Sequence, residues 1–387
     1  PFRPVRAVAL VANQDLPQCR LYRVDQKLEQ LRHAGYAVGL YDFHSALPAF
    51  LDDIYRYDAV IFYRVPALPA VIGAIAKARE LGLITFYEID DLIFDADEYP
   101  SSLASYDGQI GAEEYAGLKL GVPLFAHALS LCDFALASTP PLAEQMARHV
   151  VGRAFVHPNA LGRCHEAAIA QLPTSRSGER VTVFYGSGTK AHKEDFQELI
   201  EPALVELVRR HGDRVAIVLM GYITMTDRLR SIEDHLLLID PNWDANAYWA
   251  VLSQVDINIA VLKPSPMADC KSEIKWLEAA MFGIPSIVSD TATFRTVVEP
   301  GVTGFLCRTP ADWTAALGRL VADDGLRRQV GQQARERAIA AYGMPAMGDN
   351  LQRMLSEVSP APADAKPTIL IVNVFYPPQA IGGATRV

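Results

Sequence analysis

Four clusters in this sequence have the residue types and spacing to handle an anionic ligand rich in hydroxyls. The strongest spans residues 271–290, KSEIKWLEAAMFGIPSIVSD. Lys271, Lys275 and Glu278 are four and three residues apart, which puts them on one helical face or at its start. Ser272 reads as the N-cap, Gly283 as the C-terminal stop, and Pro285 bars the helix from continuing. Lysines and a helix N-terminus attract a diphosphate, while a carboxylate accepts hydrogen bonds from ribose hydroxyls. The same pattern also fits an amphipathic surface helix with a Lys–Glu pair.

The second cluster is FYGSGTKAHKEDF at residues 184–196. Gly186, Ser187, Gly188 and Thr189 follow an apolar strand, where turn backbone N–H groups receive an anion at close range. His192 and Lys193 stand just beyond. In the third cluster, CRLYR, Arg20 and Arg23 share one side of a helix start after the first strand. Arginines at such a rim suit a phosphate or an anionic acceptor, and equally a solvated helix face. In the fourth, YEIDDLIFD, Asp90 and Asp91 end an expected strand. Paired acids there suit acceptor hydroxyls or the reacting centre, or else an Asx turn. The stretch after them, residues 96–117 with Gly117, reads as a loop that would meet the acceptor.

Short apolar runs alternating with amphipathic stretches must position these clusters, the pattern of parallel sheets covered on both faces. Strands are expected at residues 5–12, 36–41, 59–63, 83–89, 135–138 and 154–156, with helices at 19–34 and 68–81. A second alternation has strands at 181–185, 215–220, 236–239, 257–262, 286–289 and 304–307. Its helices fall at 195–211, 246–253, 272–282, 310–322 and 326–342. The expected organisation is a first domain at 1–160, a linker at 161–180 (including QLPTSRSGE), and a second domain at 181–345. A terminal helix at 346–358 and a Pro- and Ala-rich linker at 359–367 follow. Two α/β halves leave a cleft, and open α/β sheets bind ligands at the carboxyl ends of their strands.

Composition narrows the partners. The chain has 387 residues, 50% of them hydrophobic, with a net charge of −9, so no clustered basic surface for nucleic acid is implied. Its five scattered cysteines lack metal-ligand or redox spacing, which points to a reducing, cytoplasmic compartment. No signal segment or membrane-length apolar run is visible, and the chain opens on Pro1 as though mid-polypeptide. No G-x-G-x-x-G opens the first domain, no G-x-S-x-G elbow occurs, and Asp95 and Asp97 sit in an expected loop rather than at a strand end.

LEAAMFGIPSIVSD followed by VVEPGVTGFLC resembles the C-terminal motif of the large retaining GT-B glycosyltransferase family. In that family the second glutamate of a paired-glutamate motif holds the donor ribose, and it matches Glu278. The first glutamate falls on Cys270, with Glu273 three positions away, and the Glu of E-V-V falls on Thr296. The family's Arg and Lys after the glycine-rich strand fall on Ser187 and His192. That replacement resembles a subgroup with S-G-T-x-x-H-x-x-D-F, and it shifts phosphate neutralisation toward Lys190, Lys193, Lys271 or Lys275. Gly221 matches a family glycine that lets the nucleotide approach the backbone. The family's Gly-Gly loop is missing from residues 13–18, while TILIVNVF followed by YPPQAIGGATRV in the tail resembles the start of a family N-terminal domain. Gly382 and Gly383 would then open a second glycosyltransferase module at 368–387.

The resemblance implies a GT-B fold with two doubly wound Rossmann-like domains facing a cleft. The reaction implied is sugar transfer from a nucleotide-sugar to a hydroxyl of a lipid-linked or saccharide acceptor, without metal or cofactor. The subgroup implies bacterial O-antigen or capsule synthesis in the cytoplasm, with at most peripheral contact at the inner membrane face. The same fold also serves sugar-nucleotide epimerases and phosphorylases. The departures at Cys270, Ser187 and His192 keep an inactive binding domain as a further alternative.

Overall fold

The computed structural model describes residues 5–106, 108–172, 180–188 and 193–358. The expected tail module at 368–387, with Gly382 and Gly383, lies outside them, as does the linker at 359–367. Two six-stranded sheets, parallel throughout, form two domains. The first contains β1 (Ala7–Ala12), β2 (Ala37–Asp42), β3 (Ala59–Tyr63), β4 (Ile84–Ile89), β5 (Phe134–Ala137) and β6 (Ala154–Val156) in the order β2-β1-β3-β4-β5-β6. The second contains β7 (Val181–Ser187), β8 (Val215–Gly221), β9 (Leu236–Ile239), β10 (Ile257–Ala260), β11 (Ser286–Ser289) and β12 (Phe305–Cys307), ordered β12-β11-β10-β7-β8-β9. Central strands such as β3 and β4 are buried at every position, because helices cover both faces. The strands therefore fall where continuous apolar runs placed them, to within a residue or two.

Several helices differ from expectation. The run expected as one helix from residue 19 starts at Pro17–Cys19, passes through a π-helical turn at Arg20–Asp25, and becomes α-helical at Gln26–His33. The helix expected at 195–211 is two, Lys193–Leu199 and Glu201–His211, broken where Pro202 removes a backbone donor. The expected acceptor loop is partly helical: Leu103–Tyr106 forms a 3-10 turn, and Gly117 lies inside the helix Ala112–Leu131. The expected linker likewise holds the helix Arg163–Gln171, whose His165 and Ala168 are buried.

The last described helix, Met344–Val358, leaves the second domain and packs on the first. Leu351, Met354, Leu355 and Val358 complete an apolar cluster with β1, β3 and the helix Gln26–His33. Each such buried side chain is worth about 1.5–3 kcal/mol. Polar contacts fix its position: the His157 ring meets Asn350 Oδ1 at 2.8 Å, and Arg153 pairs with Glu357. No helix among the described residues is long and apolar enough to cross a membrane.

Candidate active site

The carboxyl ends of both sheets face a cavity of about 490 Å³. Strand order reverses between β1 and β3 in one sheet and between β7 and β10 in the other, and such switch points open a crevice. Residues at and just beyond the ends of these strands, including Cys19, Gly186–Gly188 and Val261, line it.

On the second-domain side, the helix Ile274–Met281 begins at the cavity. Its N-cap is Glu273, one residue beyond the expected Ser272, because the helix Pro266–Cys270 precedes it and Lys271 is extended. Ser272 instead accepts a hydrogen bond from Asn159 Nδ2 of the first domain at 3.1 Å. Lys275 Nζ donates to Gly186 O at 2.7 Å and lies over the Tyr185 ring. Burial pushes its ammonium down to about 8, so it titrates near neutrality. Glu278 Oε1 accepts from Tyr22 Oη at 2.7 Å and Trp249 Nε1 at 2.9 Å. Burial pushes that carboxyl above the usual range, against the pull of these two donors. Gly283 ends the helix at φ +67°.

The Gly186–Gly188 turn depends on its neighbour. Gly221 has φ +111°, and a Cβ there would lie 2.0 Å from Ser187 O, so only glycine allows β7 and β8 to run this close beside the cavity. Thr189 and His192 lie outside the described residues, as does Lys190. Lys193 starts the helix Lys193–Leu199 and is absent from the cavity lining, although Ser187 and Gly188 belong to it. Glu273 is buried near Tyr342 and also lies off the cavity, so it does not stand in for the carboxylate missing at Cys270. Cys270 itself joins the apolar core of the first domain.

On the first-domain side, Asp90 and Asp91 both line the cavity, and each already holds a cation. Arg64 donates to Asp90 Oδ1 at 2.9 Å, and Lys271 reaches across the cleft to Asp91 Oδ1 at 2.6 Å. Burial raises the Asp90 carboxyl, but Arg64 and Arg23 more than offset it and hold it below the usual range. Arg64 adopts φ +50°, a conformation costing a side-chain-bearing residue about 1–3 kcal/mol. That strain aims its guanidinium at Asp90.

The two arginines expected at the rim are elsewhere. Arg20 is exposed and pairs with Asp25. Arg23 is buried, bonding Glu88 at 2.7 Å, His157 O at 2.9 Å and Asn159 Oδ1 at 3.0 Å. A buried carboxylate on β4 draws it inward, so its position is internal. The sequence reading missed Tyr22, Arg64, Asn159, His165 and Trp249. Of these, only Tyr22, within CRLYR, stood inside a cluster singled out for its charges. No group of three or more His, Cys, Asp or Glu among the described residues is arranged to hold a metal ion.

Comparison with known proteins agrees with this architecture. Residues 199–352 match the family described as Glycosyl transferase-like. A stretch of 87 residues is 36% identical to D-inositol 3-phosphate glycosyltransferase of Corynebacterium jeikeium, covering 22% of this chain and only 20% of that protein. Sucrose-phosphate synthase of Thermosynechococcus elongatus superposes with TM-score 0.56 at 16% identity, over 91% of this chain and 99% of that one. HepE of Anabaena, solved with UDP, gives TM-score 0.58 at 11% identity, over 91% of this chain and 100% of that one. The chain thus has the GT-B fold, and its second domain carries a glycosyl transferase-like sequence.

Proposed function

We propose that this protein is a retaining glycosyltransferase that moves a sugar from a nucleoside diphosphate to a hydroxyl of a saccharide or lipid-linked acceptor. The observation that carries this reading is the constellation on one wall of the cleft. Glu278, Lys275 and the Gly186–Gly188 backbone surround a cavity large enough for a nucleotide. In this reading Glu278 accepts from the ribose, while Lys275, Lys271 and the backbone N–H groups meet the diphosphate. Asp90 and Asp91 face the acceptor. The anomeric C–O bond to the diphosphate breaks on the face where the acceptor oxygen bonds, and the acceptor proton leaves with the phosphate. Charge growing on the leaving group is met by preorganised cations and N–H donors, which accelerates the step. No metal or cofactor is assigned a role.

The S-G-T-x-x-H-x-x-D-F pattern supports a place in bacterial surface-polysaccharide synthesis, at the cytoplasmic side of the membrane. The tail from residue 368 supports a second transferase module in the same polypeptide. A solved neighbour described as a putative UDP-N-acetylglucosamine 2-epimerase from Listeria monocytogenes favours a second reading, sugar-nucleotide epimerisation. Incubation with UDP-, GDP- and TDP-sugars, with and without saccharide acceptors, separates the two. The transferase releases nucleoside diphosphate and, with its acceptor, forms an α-configured product from an α-donor. Conversion of the sugar nucleotide without any acceptor would replace the transferase by the epimerase. An inverted product would refute retention.

A further inference from the structure

Tyr22 and Glu278 belong to different domains, yet their side chains share a buried hydrogen-bond relay. Tyr22 Oη is 2.7 Å from Glu278 Oε1 and 2.9 Å from His165 Nε2. His165 lies on the connecting helix Arg163–Gln171, and its Nδ1 accepts from Gly162 N at 3.2 Å. An imidazole that accepts at Nδ1 carries its proton on Nε2, so it donates to the tyrosine oxygen. The single proton of the Tyr22 hydroxyl is thereby committed to Glu278. Trp249 Nε1 supplies the second donor to the same oxygen, at 2.9 Å. Both bonds fall on Oε1, and among the described residues Oε2 accepts none.

We infer that Tyr22 is a positioning residue, through which the first domain and the connecting helix set the Glu278 carboxylate. Nucleotide affinity would then depend on how the domains close on each other. The inference rests on the role proposed for Glu278 toward ribose. Tyr22, His165, Trp249 and Glu278 are all at least nine-tenths buried, where leaving a polar group unpaired is costly. Tyr22 stands on the π-helical turn Arg20–Asp25, and such single turns within α-helices recur at functional sites because the added residue re-aims the side chains. With Oε1 held by two donors on two elements, Oε2 is left for a ligand in the cavity that Glu278 lines. If the domains separate, the tyrosine leaves the carboxylate and the carboxylate loses its orientation.

Calorimetric titration of UDP, GDP, ADP and TDP into wild type and Tyr22→Phe tests the inference. The best-bound nucleotide should bind about tenfold more weakly to the variant, the loss expected for one hydrogen bond to a charged group. Its 2′,3′-dideoxy analogue should bind both proteins equally, because the effect passes through the ribose hydroxyls. In a Glu278→Ala background Tyr22→Phe should cause no further loss, since coupled residues are not additive. Equal affinity of wild type and Tyr22→Phe for the full nucleotide overturns the inference, as does equal loss for the dideoxy analogue. If wild type binds none of the four nucleotides, the proposed function itself falls. Should Tyr22→Phe fail to fold, His165→Gln reads the same relay one bond away, with a smaller loss and the same insensitivity of the dideoxy analogue.

Discussion

Lys271 Nζ lies 2.6 Å from Asp91 Oδ1, joining the second domain to the first across the mouth of the cleft. Both side chains are about a quarter exposed, so the pair is neither a screened surface contact nor a sealed one. In the proposed reading, a nucleoside diphosphate entering the cavity competes with Asp91 for this lysine.

Asp91→Asn should therefore release Lys271 toward the phosphates. Diphosphate affinity is expected to rise about threefold to tenfold at low salt, while monophosphate affinity changes less. Turnover should fall, because the cleft loses an acid facing the acceptor. Unchanged diphosphate affinity in titration calorimetry would place Lys271 outside the phosphate site.

Lys275 has an ammonium lowered to about 8 by burial, so its charge is present below that pH and lost above it. Diphosphate affinity should decline between pH 7 and 9 in the wild type. In Lys275→Arg the decline should vanish, since guanidinium stays charged throughout this range. Lys275→Ala should depress turnover more than monophosphate binding. An identical pH profile in wild type and Lys275→Arg would exclude this residue as the source.

For Glu278 the folded protein holds the carboxyl above its ordinary range, chiefly through burial. A raised acid favours folding at pH below the unfolded value and loses that advantage as pH rises through the folded one. Glu278→Gln removes the cost of burying the charge, so at pH 8 it should melt at or above wild type. The difference should shrink toward pH 4. Nucleotide affinity should nevertheless drop at least tenfold, as a charge-assisted bond is worth about 1.5–3 kcal/mol. A mutant that melts lower at pH 8 than at pH 4, each relative to wild type, would contradict the assigned ionisation.

Truncation after residue 343 should abolish soluble folded protein. It removes four apolar side chains from the core of the first domain, together worth about as much as a typical domain's whole stability. Truncation after Ala365 should leave the melting temperature nearly unchanged. A large loss of thermal stability on removing residues 366–387 alone would show that the tail packs on these domains.

Much of this was legible from residue pattern. Strands buried on both faces, such as β3, are continuous apolar runs, in β4 only Thr85 and Glu88 interrupt one, and Glu278 stands in the buried run 276–281. The connecting helix was illegible because it buries only His165 and Ala168, too few to show a period. Arg23 looked like a rim cation because charge usually marks solvent. Its burial depends on Glu88, 65 residues away, and no local spacing announces that pairing. Arg64 owes its place to a positive φ, a backbone state that its residue type does not suggest.

The return of the helix Met344–Val358 to the first domain makes the chain pass between domains twice, and the two passages touch: Leu161 N donates to Tyr342 O at 2.9 Å. The second domain is therefore a cassette inserted between two adjacent anchor points of the first. Tension applied at residues 5 and 358 would load the first domain alone and leave the inserted cassette slack.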